Sequence, residues 1–335
     1  MEYRIMRRAF VAALAAAGLG ASLPGTAQSQ QAPSPSPWMP TKPVRIIVPF
    51  TAGALTDIIA RIYADKLALP LGQSVVVENR PGAGGVSASQ MLLSQPADGH
   101  TMLFVSSAHA ANPALKLKLP YDTEKDFSGL ALLASSPSLV VVRDDHPAKT
   151  LAEFVAAAKK KPREMTYGSA GVGAATHLTG AYFAAEEGVE LLHIPYKGVQ
   201  EAVNEVVAGR LDTAFPPIAL AQSFIKSGRL RALAVTSPQR SPSMPDVPTV
   251  AEQGVPGFDS SIWYALVMSS KTPKPIMESL AAQFVKVTET PEVADKLKSQ
   301  GLIASRLTLG DFDRMISADI KKTARLVQAS GIQPE

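Results

Sequence analysis

Two glycine-bearing turns are where this sequence could do chemistry. One is Pro49-Phe50-Thr51-Ala52-Gly53-Ala54, where the β-rich run Val44 to Val48 passes into a helical pattern through Leu55, Thr56 and Asp57. The other is Ser169-Ala170-Gly171-Val172-Gly173, which follows the run Met165 to Tyr167 and opens the segment carrying Thr176 and His177. A tight turn between a strand's carboxyl end and a helix start leaves backbone N–H groups unpaired, and the helix dipole favours an anion there by ~0.3–1 kcal/mol. Two such turns facing each other across a cleft would hold a small carboxylate from both sides. Each turn alone also reads as a plain βα connection, since short loops of this kind are common in α/β folds.

Other chemistry finds little support. Gly82-Ala83-Gly84-Gly85 resembles half of a dinucleotide fingerprint, but Ser87 stands where the third glycine belongs. There is no Walker lysine loop and no Gly-x-Ser-x-Gly elbow, because Tyr167 lies two residues before Ser169. No nucleophile is designated. His100, His109, His146, His177 and His193 form no metal-ligand spacing, and without cysteine the chain has neither a disulfide framework nor a thiolate metal site. No cofactor is implied. The histidines read as structural or hydrogen-bonding groups, with His109 and His177 at strand-to-helix openings. Trp263 and Tyr264, at the start of a strand pattern, read as core residues.

The elements that must position the turns alternate. Val44–Val48, a helix over 56–69 with Ile58, Ile59, Ile62, Tyr63 and Leu67 on one face, and a strand over 75–78 form a βαβ unit. A helix over 86–93 and a strand over 102–105 extend it, which implies a parallel sheet with right-handed crossovers. A second series has strands over 138–142, 165–167, 191–194 and 211–215, with helices over 151–160, 174–185, 201–208 and 218–226 between and after them. Further strands are expected over 231–235 and 262–268. The last 60 residues read as helical, with Phe312, Met315, Ile316, Ile320, Ala324 and Val327 along one side before Gly331. The expectation is an α/β protein with a discontinuous first domain, 41–129 and 232–335, and a second domain, 130–231. Two chain crossings near Leu130 and Leu230 then form a hinge, a preferred place for a small-ligand cleft.

The 335 residues fit roughly two domains, and 46% hydrophobic with 19% charged residues is a globular composition. The charge of +4 falls to +2 once Glu2, Arg4, Arg7 and Arg8 are set aside, leaving 30 Lys and Arg against 28 Asp and Glu. The longest basic run, Lys159-Lys160-Lys161, reads as a solvated helix end, so nucleic acid is not an expected partner. Arg4, Arg7 and Arg8 precede an apolar stretch to about Leu23, with Gly25 and Ala27 at the −3 and −1 positions of a cleavage site. This predicts a signal peptide over 1–27 and an exported protein. The apolar run falls short of the ~20 residues that span a bilayer. Residues 28–40, with four prolines among Ser and Ala, predict a flexible leader.

The strings VVVENRPGAGG (75–85), HAANP (109–113), LPYD (119–122), SAGVG (169–173), HIPYKG (193–198), RALAVTS (231–237) and PDVPTVAEQG (245–254) resemble those of the Bug-type substrate-binding proteins of tripartite tricarboxylate transporters. Seven strings occur in the family's order, and the resemblance covers nearly the whole mature chain. The resemblance implies a two-lobed periplasmic-binding-protein (Venus flytrap) fold, each lobe a mainly parallel sheet flanked by helices, in a periplasmic receptor without catalysis. It implies capture of a small organic carboxylate and its presentation to membrane permease subunits, with the monomer as the expected state. Carried over by motif, the ligand is held by Thr51, Ala52, Gly53, Ala54, Leu55, Thr56 and Asp57 and by Ser169, Ala170, Gly171, Val172 and Gly173. Those two loops act largely through backbone groups and waters, and Ser107, His109 and His177 are weaker candidates. Asp57 beside an anion suits a local cap or a water-orienting group. Ala54 replaces a glycine of the family pattern, Ala174 a hydroxyl residue, and Pro216-Pro217 an Asp-Asn pair. These departures suggest a ligand with a less polar distal end than an amino diacid. A sensor that docks to a signalling protein and a secreted hydrolase using Ser169 remain the alternatives.

Overall fold

The computed structural model describes residues 38–82, 85–115 and 118–329. The expected signal peptide, most of the proline-rich leader and Gly331 lie outside the described residues. The flexible leader was expected to run to Pro40, but Trp38 is already packed. Its ring meets His100 edge-on at 5.3 Å, and its carbonyl accepts from Ser279 Oγ at 2.8 Å.

One six-stranded sheet contains β1 (Val44–Val48), β2 (Val75–Asn79), β3 (Thr101–Ser106), β4 (Phe127–Ser136), β10 (Ile262–Ser269) and β11 (Ile303–Ala304), in the order β11-β4-β10-β3-β1-β2. The period-2 pattern of its strands sorts the apolar side chains onto two faces. Val44, Ile46, Val48, Tyr264 and Leu266 face α1 (Leu55–Leu71), α8 (Lys274–Thr288) and α9 (Pro291–Ser299). Ile47, Leu103, Val105, Trp263 and Ala265 face α2 (Val86–Leu93), α3 (Ala108–Leu115) and α10 (Leu309–Ala329). Each fully buried Ile or Leu in these layers contributes ~1.5–3 kcal/mol relative to exposure.

The second sheet has five strands, β5 (Leu139–Arg143), β6 (Thr166–Ser169), β7 (Leu192–Pro195), β8 (Thr213–Ala214) and β9 (Leu230–Val235), in the order β7-β6-β8-β5-β9. One face packs on α4 (Leu151–Lys160) and α5 (Ala175–Glu187), the other on α6 (Val199–Val207) and α7 (Ile218–Lys226). Lys159, Lys160 and Lys161 are exposed, as a solvated helix end should be.

The two-sheet α/β architecture matches the sequence reading, but strand direction departs from it. Only β2-β1-β3 and β7-β6-β8 are parallel. β10 inserts antiparallel between β3 and β4, and β5 runs antiparallel to both neighbours, so the sheets are mixed rather than mainly parallel. The chain leaves the first sheet after Ser136 and returns after Val235, several residues beyond the positions expected from sequence. At the crossings Ser138 N–H donates to Thr236 Oγ1 at 2.9 Å, and Ser260 N–H donates to the Thr236 carbonyl at 2.9 Å. The two connecting segments are thus bonded side by side.

Candidate functional site

The first turn is organised around Asp57. Gly53 takes φ +83, a left-handed conformation that strains a residue with a Cβ, and donates its N–H to Asp57 Oδ2 at 2.9 Å. Arg61 Nε donates to the same oxygen at 3.0 Å. Asn79 Nδ2 donates to Asp57 Oδ1 at 2.9 Å and to the Phe50 carbonyl at 3.1 Å. Burial alone would raise the Asp57 pKa, yet the bonds from Arg61, Gly53 and Asn79 outweigh it and hold the carboxyl below its ordinary range. The carboxylate is therefore a local clasp. Beside it, Ala54 is the N-cap of α1 with no side-chain cap bond, and the N–H groups of Leu55, Thr56 and Asp57 have no acceptor among the described residues.

The second turn is tied from within as well. Ala170 N–H donates to Thr176 Oγ1 at 2.9 Å, Gly171 N–H to Ser169 Oγ at 3.1 Å and Gly173 N–H to His177 Nδ1 at 3.0 Å. Three N–H groups of the glycine turn, expected to be free, are thus occupied by side chains, while that of Val172 has no acceptor among the described residues. Further free groups lie one step on, because Ala174 is also an N-cap without a side-chain bond. Ala175, Thr176 and His177 carry N–H groups without an acceptor among the described residues.

His177 accepts at Nδ1, so its proton sits on Nε2. Its ring stacks on His193 at 3.8 Å and 7°, and His193 Nε2 lies 2.6 Å from Ser169 Oγ. Burial, reinforced by His193, lowers the His177 pKa to about 4, and burial lowers that of His193 too. Ser169 is fully buried, and its hydroxyl also bridges to the Gly171 carbonyl, which makes it a brace of the loop in this structure.

A cavity of about 220 Å³ opens between the strand ends of the first sheet with α3 and α10 and helix α5 of the second half. Ser107 and Ala108 at the start of α3 form one wall, and Gly173, Ala174 and Ala175 at the start of α5 form another. The floor is the crossing segment Ser260 to Ile262, and α10 closes the cavity with Asp319, Lys322, Thr323 and Leu326. Of the candidates read from sequence, Ser107 and Gly173 are brought together here. Thr51, Ala52 and Gly53 are exposed, Ala54 and Leu55 half-buried, and Thr56 and Asp57 buried; none of them lines this cavity. Ser169 to Val172 lie behind its edge, with Val172 exposed at the loop tip. His109 is buried, with Nε2 unpartnered, against a separate space of about 20 Å³ next to Pro49 and Phe50, room for about one water. Burial lowers its pKa to about 4.

Sequence reasoning missed Tyr182, Asp319 and Lys322. Lys322 Nζ donates to Asp319 Oδ1 at 2.8 Å and to the Asp259 carbonyl at 3.2 Å, and lies 5.5 Å from the Tyr182 ring centre. Trp263 is core, as expected, and its Nε1 donates to Asp319 Oδ2 at 2.6 Å. The i,i+3 spacing of Asp319 and Lys322 was the available signal, but such pairs are ordinary on solvated helices.

The profile of the family described as "Tripartite tricarboxylate transporter family receptor" matches residues 59–332. Protein BugT of Bordetella pertussis is 32% identical over 302 residues, covering 90% of this chain and 93% of its own. The solved structure described as R. palustris Rpa4515 with adipate is 31% identical with a TM-score of 0.71, over 88% of this chain and 99% of that one. MatC (Rpa3494) from Rhodopseudomonas palustris with bound malate is 29% identical with a TM-score of 0.66, over 86% and 100%.

Proposed function

Because the chain belongs to the tripartite tricarboxylate transporter receptor family, we propose that it is a periplasmic receptor. It captures a small organic carboxylate between its two sheets and delivers it to membrane permease subunits of that transporter type. The observation that carries this reading is the pair of alanine N-caps. Ala54 and Ala174 stand where Ser, Thr, Asp or Asn would ordinarily satisfy the first helical turn. Each leaves backbone N–H groups for an incoming anion, while the turns before them are braced by their own side chains. Solved relatives described with adipate and with malate support a carboxylate as the class of ligand.

The mechanism is binding without turnover. The anion meets the first turn of α5 near Gly173 and is brought against Thr51 to Asp57 as the two halves rotate about the crossings at Ser138, Thr236 and Ser260. Closure is driven by contacts that exist only when both halves touch the ligand. Two connecting segments bonded to each other constrain that motion to a hinge. Mass spectrometry of the ligand retained by the purified protein tests the proposal: a small carboxylate is expected, and a retained ligand without an acidic group would refute it.

A further inference from the structure

The cavity between α3, α5 and α10 carries information about the far end of the ligand. Its apolar lining includes Ala111, Leu115, Leu178, Ile262 and Leu326, and its lining hydroxyls are neutral. Among the described residues that line it, Lys322 is the single basic side chain. An ammonium has three N–H donors. Here two are directed to Asp319 Oδ1 and the Asp259 carbonyl, and the charge also lies over the Tyr182 ring. With one donor remaining, its charge is already matched by Asp319, so among the described lining residues no unpaired cation is left to meet a second carboxylate, and one placed there would face the Asp319 carboxylate. A buried charge without a partner is strongly disfavoured, whereas apolar surface gains from burial.

Resting on the carboxylate-receptor reading, we infer that the ligand is a monocarboxylate whose uncharged, largely apolar tail lies in the cavity between α3, α5, the Ser260–Ile262 crossing and α10. The size is suitable. A dry apolar cavity of about 150 Å³ accepts benzene, so about 220 Å³ accommodates a substituted ring or an aliphatic chain of similar bulk. The anionic end then reaches the first turn of α5, since Gly173, Ala174 and Ala175 line the same space. The wall that sets specificity is thus built by α10 and α5, outside the two turns that the sequence singled out.

Hexanoate and adipate share a six-carbon chain and differ at one end, so titration calorimetry with this pair reads the inference directly. Benzoate and cyclohexanecarboxylate serve as ring-bearing monoacids and malate as a short diacid. At least one monoacid is expected to bind, with hexanoate roughly tenfold or more tighter than adipate. Asp319→Asn keeps an oxygen for Trp263 but releases Lys322, so the preference for hexanoate over adipate should narrow or reverse. Circular dichroism and thermal melting establish that this variant is folded. Adipate or malate binding as tightly as the monoacids overturns the inference and leaves the carboxylate reading standing. An unchanged ratio in folded Asp319→Asn also overturns it, because the paired Lys322 would then not be what excludes the second charge. Failure of every acid to bind, with a retained ligand lacking a carboxylate, removes both readings together.

Discussion

At the scale of the residue, stability and binding are set against each other at Ala174. An aspartate cap there would accept from the first-turn N–H groups of α5 and occupy the place proposed for the anion. Ala174→Asp is therefore expected to stabilise the free protein by ~0.5–1 kcal/mol in denaturant unfolding and to abolish carboxylate binding by calorimetry. His177 gives the pH dependence. In the unfolded chain it protonates near its ordinary 6.5, while the folded protein keeps it neutral down to about 4. Between those values the unfolded state binds more protons, so stability falls on acidification across that window and flattens below it. His109, buried and likewise lowered to about 4, acts in the same direction. His177→Asn retains an acceptor for Gly173 N–H but no titrating ring. Unfolding free energies at about pH 7 and about pH 4.5 should differ less in that variant than in the parent protein.

At the scale of the element, close approach positions the second turn. Gly180 of α5 lies directly against Tyr167 of β6, and a Cβ there would overlap the ring. Gly180→Ala should cost ~1–3 kcal/mol by overpacking, and hydrogen exchange at Ser169 to Gly173 should accelerate with it. On α10, Phe312 is fully buried and meets Trp263 edge-on at 5.7 Å. Phe312→Ala is expected to lower the unfolding free energy by ~3–5 kcal/mol. Helix α10 starts on the first sheet and continues past Tyr182 of α5, so Phe312 anchors it while Lys322 and Leu326 reach the cavity.

At the scale of the whole molecule, the paired crossings predict one dominant motion. Saturating ligand should reduce the radius of gyration in solution scattering, and the melting temperature should rise with the logarithm of ligand concentration. Unchanged scattering at saturation would argue against closure about Ser138, Thr236 and Ser260. Substituting Thr236 with Val removes the hydroxyl that accepts from Ser138 N–H. It tests whether those bonds keep the two halves in register.

The linear chain was sufficient for whatever repeats locally. The strands Val44–Val48 and Ile262–Ser269 and the helices at 86–93, 151–160 and 218–226 are written in periodicity and turn residues, as are the two glycine turns. The strand Phe127–Ser136 escaped because its Ser, Gly and Ala residues have weak β propensity, and burial on both faces removes alternation. Tertiary structure decided strand direction, since antiparallel insertion of β10 depends on where a distant segment returns. It also decided which N–H groups remain free, because the side chains that cap the turns are identifiable only once their geometry is fixed. The cavity is the furthest from the sequence. Ser107, Ala174, Ser260 and Lys322 are separated by scores of residues, and only the packing of α10 against the first sheet and α5 gives them a common space.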